Sequence, residues 1–202
     1  MVRLYLETNF LVGYAMGRET KADLLLSTSR IPSVSLAIPS ICFFEAGVWR
    51  EGEIKRRHQL DRTMRDQITQ LMRDLVSPFA SSLRSHLHQA RDANDSYFRS
   101  IDLRLSQVFE QLSRNIEWIG LSPEALNECR TTPRIGEMTD DLILSCILEH
   151  ARSHREGHKA FLSGNTQDFG RQEIREALRE SGVDRFFTTT HDALGWLASP
   201  TD

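Results

Sequence analysis

Acidic residues at four places in the chain fall where an α/β fold could gather them. Glu7 follows the apolar run Arg3-Leu4-Tyr5-Leu6, and Asp168 follows Lys159-Ala160-Phe161-Leu162-Ser163 after a polar turn. Glu45 lies in the first turns of a helical segment soon after the β-rich stretch Val34 to Ile38, and Asp140 and Asp141 open the apolar helix Leu142 to His150. Two unit charges about 4 Å apart cost roughly 4 kcal/mol at an effective dielectric near 20. A carboxylate cluster therefore persists only where a proton is shared or a cation is bound. Hard cations such as Mg2+ take oxygen ligands, and a bound ion would activate water and neutralise charge on a phosphodiester with no need of His or Cys. Taken singly, each acid is an ordinary partner for a helix dipole. Glu7 fits that role least, because Thr8 and Asn9 stand ready as caps. The coincidence of the set, more than any member, points to a site.

The elements that must position these acids alternate between strand and helix. Short apolar runs at Arg3–Leu6, Val34–Ile38, Ile116–Leu121, Lys159–Ser163 and Arg185–Thr188 are separated by helical patterns, and Ser122-Pro123 marks one helix start. Such alternation predicts a parallel sheet with helices on both faces. In that architecture strand ends and the starts of following helices share one edge, where open α/β sheets hold their sites. From about Ile54 to Ile116 glycine is absent and apolar residues step by three or four, as in Leu60, Met64, Ile68, Leu71 and Leu75. We expect two or three amphipathic helices there, broken at Pro78 and near Asn94-Asp95-Ser96, forming a hairpin that projects from the core. The organisation expected is one domain over residues 1–202, with residues 54–115 as a helical insert.

With 202 residues and 40% hydrophobic content the chain can bury a sizeable core. A net charge of -3 excludes a global basic field, so any nucleic-acid partner must be met by a local patch or by bound metal. Cys42, Cys129 and Cys146 are odd in number and lack CxxC spacing, which argues against a zinc knuckle or a disulfide framework. Cys42 and Cys146 read as core residues. No apolar run reaches the roughly 18 residues of a membrane span, and the start shows no signal peptide, so a cytoplasmic setting and no membrane partner are expected.

Four segments together resemble PIN domains. Leu4-Tyr5-Leu6-Glu7-Thr8-Asn9-Phe10-Leu11 is similar to their opening strand, Asp-Thr-Asn and apolar helix. Ile38-Pro39-Ser40-Ile41-Cys42-Phe43-Phe44-Glu45 resembles the second motif, Thr139-Asp140-Asp141-Leu142-Ile143-Leu144 the third, and Phe161 to Phe169 the fourth. The resemblance covers the core on both sides of the helical insert. It implies a three-layer α/β/α fold and an endonuclease dependent on Mg2+ or Mn2+, most often acting on RNA. Carried over by residue, it gives Glu7, Glu45, Asp140 and Asp168 as metal ligands and catalytic positions. Asp140 fits the third motif better than Asp141, which stands beside it as a further contributor. Asn9 would orient the first carboxylate, Asn165 would neighbour the fourth, and Ser163 would hold a water or a phosphate oxygen. The partners implied are single-stranded or structured RNA, an antitoxin protein if the chain is a toxin-type ribonuclease, and a second copy of the chain. Glu7 departs from the family, where Asp is the rule. That departure keeps a second reading open, an inactive PIN-like module that binds nucleic acid or protein. A phosphatase-like reading lacks a Walker loop or a DxDx motif.

Two further features bear on chemistry. Arg50, Lys55, Arg56, Arg57, Arg62 and Arg65 crowd the start of the insert and would suit phosphate tracking. The interleaved Glu51, Glu53, Asp61 and Asp66 instead favour a solvated helix with i,i+4 pairs. The seven histidines form no HExxH pattern; His150 and His154 share a helix face at i,i+4 spacing, which reads first as a surface pair and second as a further metal site.

Overall fold

A computed structural model describes residues 1–29 and 31–198. Residues 30 and 199–202 of the expected single unit lie outside the described residues. Five strands, β1 (Val2–Tyr5), β2 (Val34–Pro39), β3 (Glu117–Ile119), β4 (His158–Leu162) and β5 (Arg185–Phe187), form one all-parallel sheet in the order β3-β2-β1-β4-β5. The helices that flank it are α1 (Thr8–Ala15), α2 (Ala22–Thr28), α3 (Ile41–Leu71), α4 (Pro78–Asn115), α5 (Pro123–Thr131), α6 (Met138–Ser153), α7 (Gln172–Glu180) and α8 (Thr190–Ala198). This is the α/β architecture expected, with a parallel sheet between helical layers.

β1 is buried at every residue, as a strand covered on both faces must be. The chain moves from β1 outward to β2 and β3, then returns to pair β4 with the other side of β1. The direction of winding thus reverses between β1 and β4, and ligands in open α/β sheets settle at the strand C-termini beside such a reversal. The register aligns Glu117, Ala37, Tyr5, Phe161 and Phe186 in one row across all five strands. Side chains alternate faces along a strand, so two residues beyond that row Glu7 falls opposite Ser163 on the same face as Tyr5. α6 covers that face, since His150 of α6 meets the Tyr5 hydroxyl at 3.1 Å.

The core gathers Leu4, Leu6, Leu36, Ile38, Ile143 and Ile147 around the aromatic set Tyr5, Phe161 and Phe169. Phe161 stacks edge-on against Phe169 and Phe186 at 5.2 and 5.7 Å. Cys42 and Cys146 are buried here as expected. No helix among the described residues is long and apolar enough to cross a membrane.

The helical insert differs from expectation in two ways. The two helices present fall within the two or three expected, but α4 runs unbroken through Asn94-Asp95-Ser96. Turn-forming side chains weaken a helix when they bond their own backbone; here Asn94 accepts from Arg57 at 3.1 Å and Asp95 pairs with Arg99 one turn on at 2.6 Å. The expected break at Pro78 is present: Asp74 accepts the backbone N–H groups of Val76 and Ser77, and Ser77 caps α4 with Pro78 in its first turn. The second difference is that both helices belong partly to the core. Cys42 and Ala46 of α3 and Ile101, Leu105, Val108 and Leu112 of α4 join the central cluster, while Met64, Ile68 and Ala80 are buried outside it. At 1.5 Å per residue α3 spans about 46 Å and α4 about 57 Å, so their distal halves form an arm. Asp61 ties that arm together by accepting from both Arg65 and Arg91 at 2.8 Å.

Replacing residues 58–94 by a short turn should therefore leave a folded core with one cooperative melting transition. Leu105→Ala, at a position 2% exposed, should cost about 2–5 kcal/mol by emptying packed volume. Denaturant unfolding of both variants checks this; loss of folding in the truncated chain would show that the arm is not separable.

Candidate functional site

Glu7 sits at the C-terminal end of β1, 1% exposed. It was expected to follow a strand and leave capping to Thr8 or Asn9. Glu7 is itself the N-cap of α1, accepting the backbone N–H of Asn9 through Oε2 at 2.6 Å. The glutamate side chain folds back on itself to reach the second residue of its own helix. Its other oxygen, Oε1, accepts from the Ser163 hydroxyl at 3.0 Å, across the reversal between β1 and β4. The backbone N–H of Asn165 donates to Ser163 Oγ at 3.1 Å and fixes that hydroxyl's direction. Asn9 thus acts on Glu7 through its main chain, and its side chain lies exposed.

Asp140 and Glu45 lie near this buried carboxylate, and Asp168 is joined to Asp140. Asp140 stands in the first turn of α6. Asn165 links it to Asp168, donating from Nδ2 to Asp140 at 3.3 Å and to Asp168 at 2.9 Å, while its side-chain oxygen accepts the Asp168 N–H at 3.3 Å. One neutral amide therefore holds two carboxylates that would otherwise repel. Glu45, one turn into α3, accepts a hydrogen bond from the Thr8 hydroxyl. Among the described residues, the only ion pair formed by these four acids is Asp168 with Arg171, loose at 3.8 Å.

The electrostatics record the crowding. Burial pushes the Glu7 carboxyl up to about 8, the Asn9 and Ser163 hydrogen bonds oppose that shift, and Asp140 and Glu45 add to it. Asp140 is pushed up to about 6, first by burial and then by Glu45, Glu137 and Asp168. Burial also raises Glu45, against the Thr8 hydrogen bond and with help from Glu137. Of the four acids expected to meet, Asp140 and Glu45 act on Glu7, and Glu45 and Asp168 act on Asp140.

Asp141 does not join them. It is buried on the other side of α6, and its two oxygens accept the backbone N–H groups of Arg134, Ile135 and Gly136 at 2.7, 2.9 and 2.9 Å. Consecutive helical residues point about 100° apart; Asp140 faces the cluster and Asp141 anchors the loop before α6. Glu137 was not anticipated. It caps α6 by accepting the N–H groups of Thr139 and Asp140, and it adds negative charge beside Asp140 and Glu45. The signal was present in Glu-Met-Thr-Asp, an acid three residues ahead of the site aspartate where a cap is due.

The basic residues of the insert form ion pairs. Arg50 meets Asp102, Arg56 and Arg57 meet Glu53, and Arg65 meets Asp61. Glu53 is held below the ordinary range by Arg56 and Arg57 despite burial, which opposes that shift. These guanidinium groups serve the hairpin first.

One tight group of metal-competent atoms lies elsewhere. Among the described residues, Glu117, His150 and His154 alone bring three such atoms within 4.8 Å of one another. The acids at the strand ends are spaced more widely. Compared with models of known protein families and with curated proteins, the chain gives no match.

The perturbed acids set a pH dependence. Glu7 and Asp140 have folded values above their unfolded ones, so their contribution to stability is full below about pH 4 and is lost as pH rises through about 6 and 8. In EDTA, the Glu7 share of that loss is on the order of 5 kcal/mol between pH 4.5 and 8. Urea unfolding at pH 5, 6, 7 and 8 should show a decline that Mn2+ reverses and that Glu7→Gln flattens. A wild-type profile parallel to Glu7→Gln would mean that Glu7 is not perturbed.

Proposed function

We propose that this protein is a PIN-like, metal-dependent nuclease that cleaves single-stranded RNA. The observation that carries the reading is the buried Glu7 carboxyl at the reversal of the sheet, with Asp140 and Glu45 near enough to act on it and Asp168 tied to Asp140 through the Asn165 amide. An all-oxygen donor set suits a hard cation, Mg2+ or Mn2+, and its open spacing suits one that keeps water and phosphate oxygens among its ligands. Glu7, Glu45, Asp140 and Asp168 would hold the ion, which when bound supplies activation of water and neutralisation of phosphate charge.

The chain's own residues prepare that arrangement. Ser163 and the Asn9 N–H fix both oxygens of Glu7. Asn165 sets the separation of Asp140 and Asp168. Thr8 orients Glu45. Beside Glu45, Phe43 and Phe44 are exposed and packed edge-to-face at 6.0 Å, and exposed aromatics stack unpaired bases. This favours a single strand over a duplex. A toxin-type role, with an antitoxin protein as partner, is compatible with the same site.

The use of Glu7 as a helix cap favours a second reading, a PIN-like module that binds nucleic acid or protein without cleaving it. Both oxygens already have partners, and reorienting either one costs a hydrogen bond worth about 1 kcal/mol.

Cleavage of a fluorescent single-stranded RNA decides between them. The wild type with Mn2+ should cleave, and EDTA should stop it. Asp140→Asn should lower the rate by about a hundredfold or more, the scale for losing an electrostatic group in an active site. Phe44→Ala should raise KM and leave kcat nearly unchanged. Binding without cleavage in either metal would establish the second reading, and undiminished cleavage by Asp140→Asn would remove the first.

A further inference from the structure

The far end of α6 carries a second constellation. Glu117 opens β3, and His150 and His154 lie one turn apart at the end of α6, with rings stacked at 4.1 Å between centroids. His150 Nε2 is 3.2 Å and His154 Nε2 is 3.9 Å from the same oxygen, Glu117 Oε1. The other oxygen of Glu117 is occupied by Arg3 at 3.1 Å and by the Ser35 hydroxyl at 3.3 Å, so Oε1 is left turned to the imidazoles.

The partners of the outer ring nitrogens matter as much. His154 Nδ1 lies 2.9 Å from the His150 carbonyl, which can only accept, so Nδ1 carries the hydrogen and a neutral His154 presents a lone pair at Nε2. His150 Nδ1 lies 3.1 Å from the Tyr5 hydroxyl, whose hydrogen can rotate to let it accept. Metal-bound histidines are typically oriented in this way, through a hydrogen bond from the nitrogen that does not bind.

We propose that Glu117, His150 and His154 form a zinc site, with water as the fourth ligand. Zn2+ binds His nitrogen and carboxylate oxygen at about 2.0–2.2 Å, which places tetrahedral ligand atoms about 3.3 Å apart. The 3.2 Å separation already meets that value, and the 3.9 Å one closes with a movement of a few tenths of an ångström at His154, the more exposed ring. A soft-to-intermediate ion is favoured over Mg2+ because two of the three ligands are imidazoles. Arg3 shares the carboxylate and weakens the site, so it loads from added zinc. The ion would staple the start of β3 to the end of α6. His150 is ten residues from Asp140 along α6, about 15 Å by helical rise, so this site is separate from the acidic cluster and does not depend on it.

Isothermal titration of the EDTA-treated and dialysed chain with ZnCl2 tests this. One Zn2+ per chain should bind in the presence of excess MgCl2. His154→Ala should weaken that event by at least about tenfold, and Asp140→Asn should leave it intact. In the wild type, Zn2+ but not Mg2+ should protect His150 and His154 from diethyl pyrocarbonate, read by peptide mass, which keeps the proposal testable if His154→Ala does not fold. Absence of Zn2+ binding, equal binding by His154→Ala, loss in Asp140→Asn, or unprotected histidines would each overturn the site.

Discussion

The hydrogen bond from Ser163 to Glu7 is the contact on which the site end of the molecule depends. It joins the end of β4 to the end of β1, the two strands between which the winding of the sheet reverses. A carboxylate in so dry a place is costly unless its lone pairs are met. Glu7 meets them with the Asn9 N–H and the Ser163 hydroxyl, and both donors come from segments that carry the rest of the site. Ser163 leads through the Asn165 backbone to the amide that holds Asp140 and Asp168. Thr8, the first residue of the helix Glu7 caps, leads to Glu45. Neutral donors thus reach each acid, and the Asn165 amide stands between Asp140 and Asp168.

α6 gives this arrangement its rigidity. Its residues from Asp141 to Leu148 are all buried, so the helix cannot rotate or slide without emptying packed volume. Asp140 at one end and His150 with His154 at the other are then fixed relative to the sheet by the same packing. The Asp141 carboxylate adds a lock at the start by holding three backbone N–H groups of the preceding loop. Two chemically different constellations are thus positioned by one apolar helix, the acidic one at its start over the strand C-termini and the imidazole one at its end beside the start of β3.

Much of this was legible in the sequence because period and punctuation agree with the fold. The apolar runs became five strands in the places expected, and their alternation with helices predicted a parallel sheet, which in turn placed Glu7, Glu45, Asp140 and Asp168 at one edge. What was not legible depended on distant partners. Asn94-Asp95-Ser96 reads as a break until Arg57, thirty-seven residues earlier in sequence than Asn94, supplies a bond for the amide. Glu117 stands in an apolar run, and its meeting with Arg3, Ser35 and His150 requires the strand order β3-β2-β1. His150 and His154 look like surface residues because helical spacing alone does not tell which face the sheet covers. Periodicity marks the insert as amphipathic helix, but only packing separates the stretch of α4 in the core from the stretch in the arm.

The glutamate at position 7 has a physical consequence beyond its added methylene. N-caps are ordinarily short side chains whose oxygen reaches the second or third N–H of the helix. Glu7 performs that task with a long side chain bent back on itself, and the same carboxylate also receives the Ser163 hydroxyl. Its oxygens are thus committed to structure before any ligand arrives. An aspartate here could cap α1 but would hold its carboxylate nearer the end of β1 and stretch the bond to Ser163. The longer residue therefore strengthens the β1–β4 junction, while a cation approaching Glu7 must compete with donors already in place. In this chain the geometry that stabilises the sheet and the geometry that would bind an ion draw on the same two oxygens.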